Sequence, residues 1–177
     1  HPNIVTVFDI GDVNGRHYFS MQLVEGTDLA ALNCESNLSS RRTAEILQDV
    51  ANGVEAAHQH GVLHRDLKPA NVLVRSADGR AFVTDFGLAK QIETEQELTR
   101  SGDTVGTPSY MAPEQVTADE AQMGPASDVY SIGAILYELL TGVPPFKADS
   151  VASTVVEVLH REVIPPSELN SNVNQHL

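Results

Sequence analysis

The stretch VLHRDLKPANVLV, residues 62–74, sets His64, Arg65, Asp66, Lys68 and Asn71 between runs of valine and leucine. A solvated loop scatters such groups among Gly, Ser and Asn. Here apolar residues press in from both sides, so the polar groups belong at the edge of something buried. That is the composition of a catalytic loop. An ordinary helix-to-strand connection is the plain alternative, and composition alone does not separate the two.

Outward from this stretch the hydrophobic period changes. Upstream, Ala44, Leu47, Val50, Ala51, Val54 and Ala57 recur at the i, i+3, i+4, i+7 spacing of an amphipathic helix that begins near Ser40 and stops at Gly61. Earlier still, IVTVFDIGDVNGRHYFSMQLVEG (residues 4–26) reads as two strands joined at Asn14-Gly15, a dipeptide suited to a tight hairpin. Gly26 and Thr27 break that pattern, and residues 28–32 can open a short helix. Downstream, short strands are expected at 72–74 and 81–84 around an Asp78-Gly79 turn. Residues 91–106 are polar with little periodicity and read as a long surface loop. SDVYSIGAILYELLTG (residues 127–142) is apolar nearly all round, which predicts a central helix capped by Ser127 or Asp128 and ended by Gly142. Pro144-Pro145 precedes a last helix near residues 150–160. The class is α-rich α+β.

Composition narrows the function. The 177 residues are 41% hydrophobic, which suits one globular unit. A net charge of -13 argues against sequence-independent nucleic-acid binding. Cys34 is the only cysteine, so an internal disulfide and a CxxC metal site are both excluded, and a reducing, cytoplasmic setting is expected. The longest apolar run, residues 129–140, contains Ser131 and Glu138 and falls short of the ~20 residues of a membrane span. No membrane contact is expected from this segment.

His64-Arg65-Asp66-Leu67-Lys68-Pro69-Ala70-Asn71 matches the pattern HRDLxxxN, Asp85-Phe86-Gly87 follows, and Ala112-Pro113-Glu114 comes later. With these strings in this order, the chain resembles the eukaryotic-like Ser/Thr protein kinase family from end to end. HPNIV (1–5) looks like the segment before the fourth strand of the small lobe, MQLVEG (21–26) like the hinge, and GTPSYMAPEQ (106–115) like the substrate-docking segment, particularly of bacterial members. The fold implied is the kinase-like one, mostly its α-rich large lobe with two small-lobe strands.

The resemblance implies ATP and Mg²⁺ as cofactors and protein substrates bearing Ser or Thr. Phosphoryl transfer to a hydroxyl needs a positioned acceptor, metal ions on the phosphates and neutralised charge. Asp66 is the candidate base, Lys68 can reach the transferred group, and Asn71 and Asp85 offer the oxygen ligands that Mg²⁺ favours. Asp85 has a plain alternative as a turn residue. Met21 resembles the residue guarding the adenine pocket, and the backbone of Gln22 and Val24 is expected to face adenine. Asp28 sits where the family often places a ribose-binding acid, or simply caps the next helix. Leu29 and Leu73 resemble the pair that packs beneath adenine, or are plain core. Asp128 resembles the buried acid that anchors the catalytic loop, with an N-cap as its other reading; His64 and Phe86 are further structural anchors. His58, His60 and His64 suggest a metal cluster only until Gly61 breaks their spacing. Arg65 is expected as a buried-side cation awaiting a phosphate on Thr99, Ser101 or Thr104, with Thr107 also regulatory. Gly106, Thr107 and Glu114 are assigned to substrate docking. Lys68 and Thr107 point to Ser/Thr rather than Tyr.

The likeness is incomplete. No GxGxxG occurs, no lysine precedes Lys68, and Arg161 is the only arginine after Glu114 and comes too early to be its family partner. The expectation is a partial domain over residues 1–177, with small-lobe strands in 1–21, a hinge in 22–26 and an incomplete large lobe in 27–177, inactive by itself. A pseudokinase or scaffold module, and a small-molecule phosphotransferase of related fold, are the alternative readings. Intact Asp66, Asn71 and Asp85 argue against the first, and the docking segment against the second.

Overall fold

Asn14 and Gly15 both take positive φ, 55° and 75°, the backbone of a two-residue hairpin turn whose twist matches its strands. They join β1 (Val7–Val13) to β2 (Arg16–Met21), in antiparallel register from Val13↔Arg16 to Val7↔Met21. The computed structural model describes residues 1–35, 38–86, 108–119 and 121–174. Among these, the hairpin is a two-stranded sheet with apolar side chains exposed on both faces, including Phe8, Ile10 and Phe19.

A second sheet has the order β3 (Gly26–Asp28), β4 (Val72–Arg75), β5 (Ala81–Val83), all antiparallel. Gly79, with φ 72°, makes the expected turn between the last two. On the free side of β5 the chain's first residues lie parallel to it. The Val5 N–H donates to the Val83 carbonyl and the Val83 N–H to the Asn3 carbonyl, both at 2.9 Å. Asn3 is itself buried and its side chain donates to the Ala81 carbonyl at 3.0 Å.

Helix α1 (Leu29–Glu35) is followed by α2 (Ser40–His58), which Ser39 caps by accepting from the Arg42 N–H at 3.2 Å. The buried stripe of α2 is Thr43, Ile46, Leu47, Val50, Gly53, Val54 and Ala57. Ala44 and Ala51, expected on that stripe, are exposed. The true stripe is turned so that Gly53 meets the first segment of the chain: a Cβ there would lie 2.7 Å from the Asn3 carbonyl oxygen. This packing asks for no side chain at all, so it is silent in a hydrophobic pattern.

After α3 (Pro113–Val116) comes the central helix α4 (Pro125–Thr141), ended by Gly142 at φ 81° as expected. Its start differs from expectation. Gly124 is the N-cap and Pro125 the first residue, where a fixed φ and a missing N–H cost nothing. Ser127 and Asp128 are inside the helix and buried, so neither is the N-cap, but the Ser127 hydroxyl does help close the helix start by accepting from the Gly124 N–H at 3.3 Å. Val129 is exposed, so the helix has one outward face. Helices α5 (Val151–His160), capped by Ser150, and α6 (Pro166–Leu169) complete the chain. Leu29, Ile46, Val50, Leu67, Val72, Val83 and Ile135 form the centre of the core, joining α1, α2, α4 and the second sheet. The mixture is α-rich α+β. No helix among the described residues is long and apolar enough to cross a membrane.

Candidate active site

The loop between α2 and β4 is held from beneath by one carboxylate. Asp128 lies in the first turn of α4, 1% exposed. Its Oδ2 accepts from the His64 N–H at 2.9 Å and from His58 Nε2 at 2.7 Å, and its Oδ1 accepts from the Arg65 N–H at 2.9 Å. Three donors on one buried carboxylate are charge-assisted bonds of the stronger kind. They hold Arg65 at φ 65°, a left-handed conformation that costs a residue with a Cβ about 1–2 kcal/mol. Asp128 thus ties the backbone of residues 64 and 65 to α4.

His64 is fully enclosed. Its Nε2–H donates to the Thr84 carbonyl at 2.9 Å and its Nδ1 accepts from the Asp66 N–H at 3.3 Å, which is the bonding of a neutral imidazole. Burial holds its pKa below the ordinary histidine value, against the opposing pull of the Thr84 carbonyl and the Asp128 and Asp66 charges. The ring tilts at 47° against Phe86, centroid to centroid 4.7 Å, so His64 and Phe86 brace the loop against the segment carrying Asp85.

On this base stand the polar groups. Asp66 Oδ2 accepts from Lys68 Nζ at 2.8 Å. Asn71, in the 3-10 turn Pro69–Asn71, directs Nδ2 to the Asp66 carbonyl at 2.8 Å, and more weakly to its Oδ2 at 3.4 Å. With the amide nitrogen so used, Asn71 Oδ1 is left without a protein donor among the described residues. The Thr84 N–H donates to the Asn71 carbonyl at 3.0 Å, which fixes the start of the Asp85 segment beside Asn71. Asp85 has φ 60° and is exposed. An uncommitted amide oxygen and an exposed carboxylate on adjoining segments are the donor set a hard divalent cation needs. The residues fit Mg²⁺. The histidines are otherwise engaged: His58 with Asp128, His60 with the Ala56 carbonyl, His64 with Thr84.

The nucleotide-side candidates divide. Met21 is 42% exposed at the end of β2, and the Thr84 hydroxyl reaches its sulfur at 3.9 Å. The Gln22 N–H is taken by the Thr6 carbonyl at 2.8 Å, while no other backbone bond of Gln22 or Val24 occurs among the described residues. Leu73 is half-buried opposite Asp28. Leu29 is fully enclosed in the core, so it has no surface to offer adenine and takes the plain-core alternative. Asp28 Oδ1 accepts from the Ala31 N–H at 2.9 Å, so it does cap α1.

Arg65 departs from expectation. It is an exposed residue, not a buried-side one, although its backbone N–H is bonded to the buried Asp128; no ion pair reaches its side chain among the described residues. In the segment expected to dock substrate, Glu114 Oε1 accepts from the Ser127 hydroxyl at 2.6 Å. Tyr110 donates to Glu138 Oε2 at 2.6 Å, and burial together with that carboxylate pushes its phenol well above the ordinary range. Thr99, Ser101, Thr104, Gly106 and Thr107, with the 91–106 loop, lie outside the described residues. Sequence reasoning missed His58 as a partner of Asp128 and missed Gln115, whose Nε2 donates to the Arg65 carbonyl at 2.6 Å. Neither carries a local signal, since each meets its partner across 50 residues or more of chain.

The family model described as "Protein kinase domain" matches residues 1–176. The chain is 39% identical over 173 residues to the serine/threonine-protein kinase PknH of Mycobacterium tuberculosis, covering 97% of this chain and 27% of that protein. It is 40% identical over 169 residues to PknD of the same organism, 95% of this chain and 25% of that protein. It is 39% identical over 178 residues to a probable serine/threonine-protein kinase PknB of Lactococcus lactis, 100% of this chain and 28% of that protein. The chain thus spans about a quarter of the length of these relatives.

Proposed function

The chain belongs to the protein kinase family, and on that premise we propose that the full-length protein transfers the γ-phosphoryl group of ATP to Ser or Thr hydroxyls of protein substrates. The observation that carries this reading is the grouping of Asp66, Lys68 and Asn71 on a loop locked by Asp128, beside the exposed Asp85. Asp66 orients the acceptor hydroxyl and takes its proton as the oxygen bonds to phosphorus and the bond to the ADP oxygen breaks. Lys68, already paired to Asp66, offers positive charge to the transferred group. Asn71 Oδ1 and the Asp85 carboxylate would hold Mg²⁺, which supplies neutralisation of phosphate charge when bound. Met21, the free backbone groups of Gln22 and Val24, and Leu73 receive adenine, and Asp28 Oδ2 is available to the ribose.

Lys68 and Thr107 favour Ser/Thr over Tyr, in line with the names of the relatives. A cytoplasmic setting is the one we propose, since a single cysteine fits a reducing compartment. A phosphate on Thr99, Ser101 or Thr104 pairs with the exposed Arg65; mass spectrometry of fully active protein without phosphate at all three removes that part. Because these 177 residues hold no GxGxxG and no lysine before Lys68, they transfer phosphate alone at under a tenth of the full-length rate.

The test is a pair of substitutions in the full-length protein. Asp66→Asn lowers turnover roughly 10²–10⁴-fold with nucleotide affinity nearly unchanged. Asp85→Ala instead weakens Mg²⁺-dependent nucleotide binding, read by titrating Mg·ATP. An Asp66→Asn protein retaining more than about a tenth of parental turnover overturns the assignment.

A further inference from the structure

Gln115 makes two bonds with one amide. Its Oε1 accepts from the Ala112 N–H at 3.1 Å, closing the first turn of α3. That fixes which end of the amide is oxygen, and Nε2 then donates to the Arg65 carbonyl at 2.6 Å. Arg65 is the residue before Asp66, in a left-handed conformation, with its N–H already bound to Asp128. So the residue that leads into the base is gripped at both backbone ends, from α4 on one side and from the docking segment on the other. The Arg65 carbonyl shares a rigid peptide plane with the Asp66 N–H, which points at His64 Nδ1. Rotating that plane changes ψ of Arg65 and φ of Asp66 and breaks the bond from the Asp66 N–H to His64 Nδ1, one of the contacts that hold Asp66 in its place beside Lys68.

We infer that Gln115 is a positioning residue, setting the 65–66 peptide plane and so coupling the seating of the docking segment to the orientation of Asp66. The inference rests on the reading of Asp66 as the group that receives the substrate hydroxyl. Glutamine suits the position because it donates and accepts at once. A glutamate of the same shape sets a carboxylate against the Arg65 carbonyl oxygen, yet its protonated form restores an O–H donor there.

The experiment uses Gln115→Glu and Gln115→Met in the full-length protein, with Mg·ATP and a peptide substrate, from about pH 8 down to 5.5. Both variants are expected to lose roughly 10–100-fold in kcat, the scale of misplacing a reacting group by an ångström or less, with KM for Mg·ATP within about twofold of wild type. The ratio of Gln115→Glu to wild-type kcat rises as pH falls, whereas the Gln115→Met ratio stays flat. A merely structural role moves thermal stability and both KM values, and produces no such divergence. If Gln115→Glu does not fold, the Gln115→Met split between kcat and KM decides. A kcat within about twofold of wild type in either folded variant, or parallel pH profiles for the two, overturns the inference while leaving the kinase reading intact. Wild-type protein no more active than its Asp66→Asn variant overturns the kinase reading itself.

Discussion

Replacing Asp128 by Asn isolates the anchor of the loop between α2 and β4, because it changes charge and one acceptor without changing shape. The carboxylate accepts three hydrogen bonds between 2.7 and 2.9 Å, from His58, His64 and Arg65. A carboxamide keeps one oxygen and turns an NH₂ group toward whichever donors faced the other. If oxygen stays with His58 and His64, the Arg65 N–H is left facing a donor; if it stays with Arg65, two donors are orphaned. The first arrangement is cheaper. It loses one bond to a charged group, about 1.5–3 kcal/mol, and strands a buried donor at about 1–3 kcal/mol. Local relaxation recovers some of this, so a net loss of about 3 kcal/mol is expected. That is a large part of the ~5–15 kcal/mol that holds a typical domain together. At ~2–4 °C per kcal/mol for a chain of this size, the unfolding midpoint falls by about 6–12 °C. Thermal unfolding followed by circular dichroism reads this directly, and faster hydrogen exchange at the Arg65 amide identifies which bond was lost. A midpoint within about 2 °C of wild type would show that the three bonds do not carry the loop. A double-mutant cycle with His58→Ala then gives the share of the histidine bond.

Three further outcomes follow from particular contacts. The neutral His64 is held below its ordinary pKa by burial, so its contribution to stability is fully present above about pH 6.5 and is lost as pH falls through the window beneath; the midpoint of wild type should drop more steeply on acidification than that of His64→Gln, and parallel slopes would count against the assignment. Gly53→Ala gains about 1 kcal/mol of helix propensity but drives a Cβ to 2.7 Å from the Asn3 carbonyl, an overpacking cost of about 1–3 kcal/mol; a lower urea midpoint is expected, and a higher one refutes the close approach. Tyr110→Phe strips Glu138 of the hydroxyl 2.6 Å away, leaving a part-buried carboxylate short of a donor at about 1–2 kcal/mol; an unchanged urea midpoint sinks that estimate.

What the sequence disclosed was whatever has a local cause. Asn14-Gly15 makes a turn because few other residues tolerate two positive φ angles, and β1–β2 formed where it was expected. The grouping of Asp66, Lys68 and Asn71 was readable because the spacing of a loop on one polypeptide fixes which groups can converge. Asp128 was readable only in part. Its type suits a helix start, and nothing nearby shows that its carboxylate crosses to residues 64 positions earlier. Ala44 and Ala51 misled for a related reason: alanine satisfies a helix whether buried or exposed, so it cannot orient a stripe. Asn3 and Gln115 were invisible because a single amide that bridges distant backbone leaves no period behind.

Where the hairpin leaves the rest of the molecule, it is tied down twice. On entry, Val5 is bonded to Val83, and on exit the Glu25 carbonyl accepts from the Ser76 N–H at 2.9 Å. Between those ties only Thr6 and residues 22–24 are left to bend, and the Thr6–Gln22 bond makes them bend together. In mechanical terms the hairpin is a lever with a short fulcrum. The seven residues of β1 give it an arm of about 23 Å at ~3.3 Å per residue. Met21 sits at the fulcrum end, against the Thr84 hydroxyl and one peptide from Asp85. A small torque applied at Asn14-Gly15 is therefore delivered, with the gain of a long arm, to the backbone that carries Asp85.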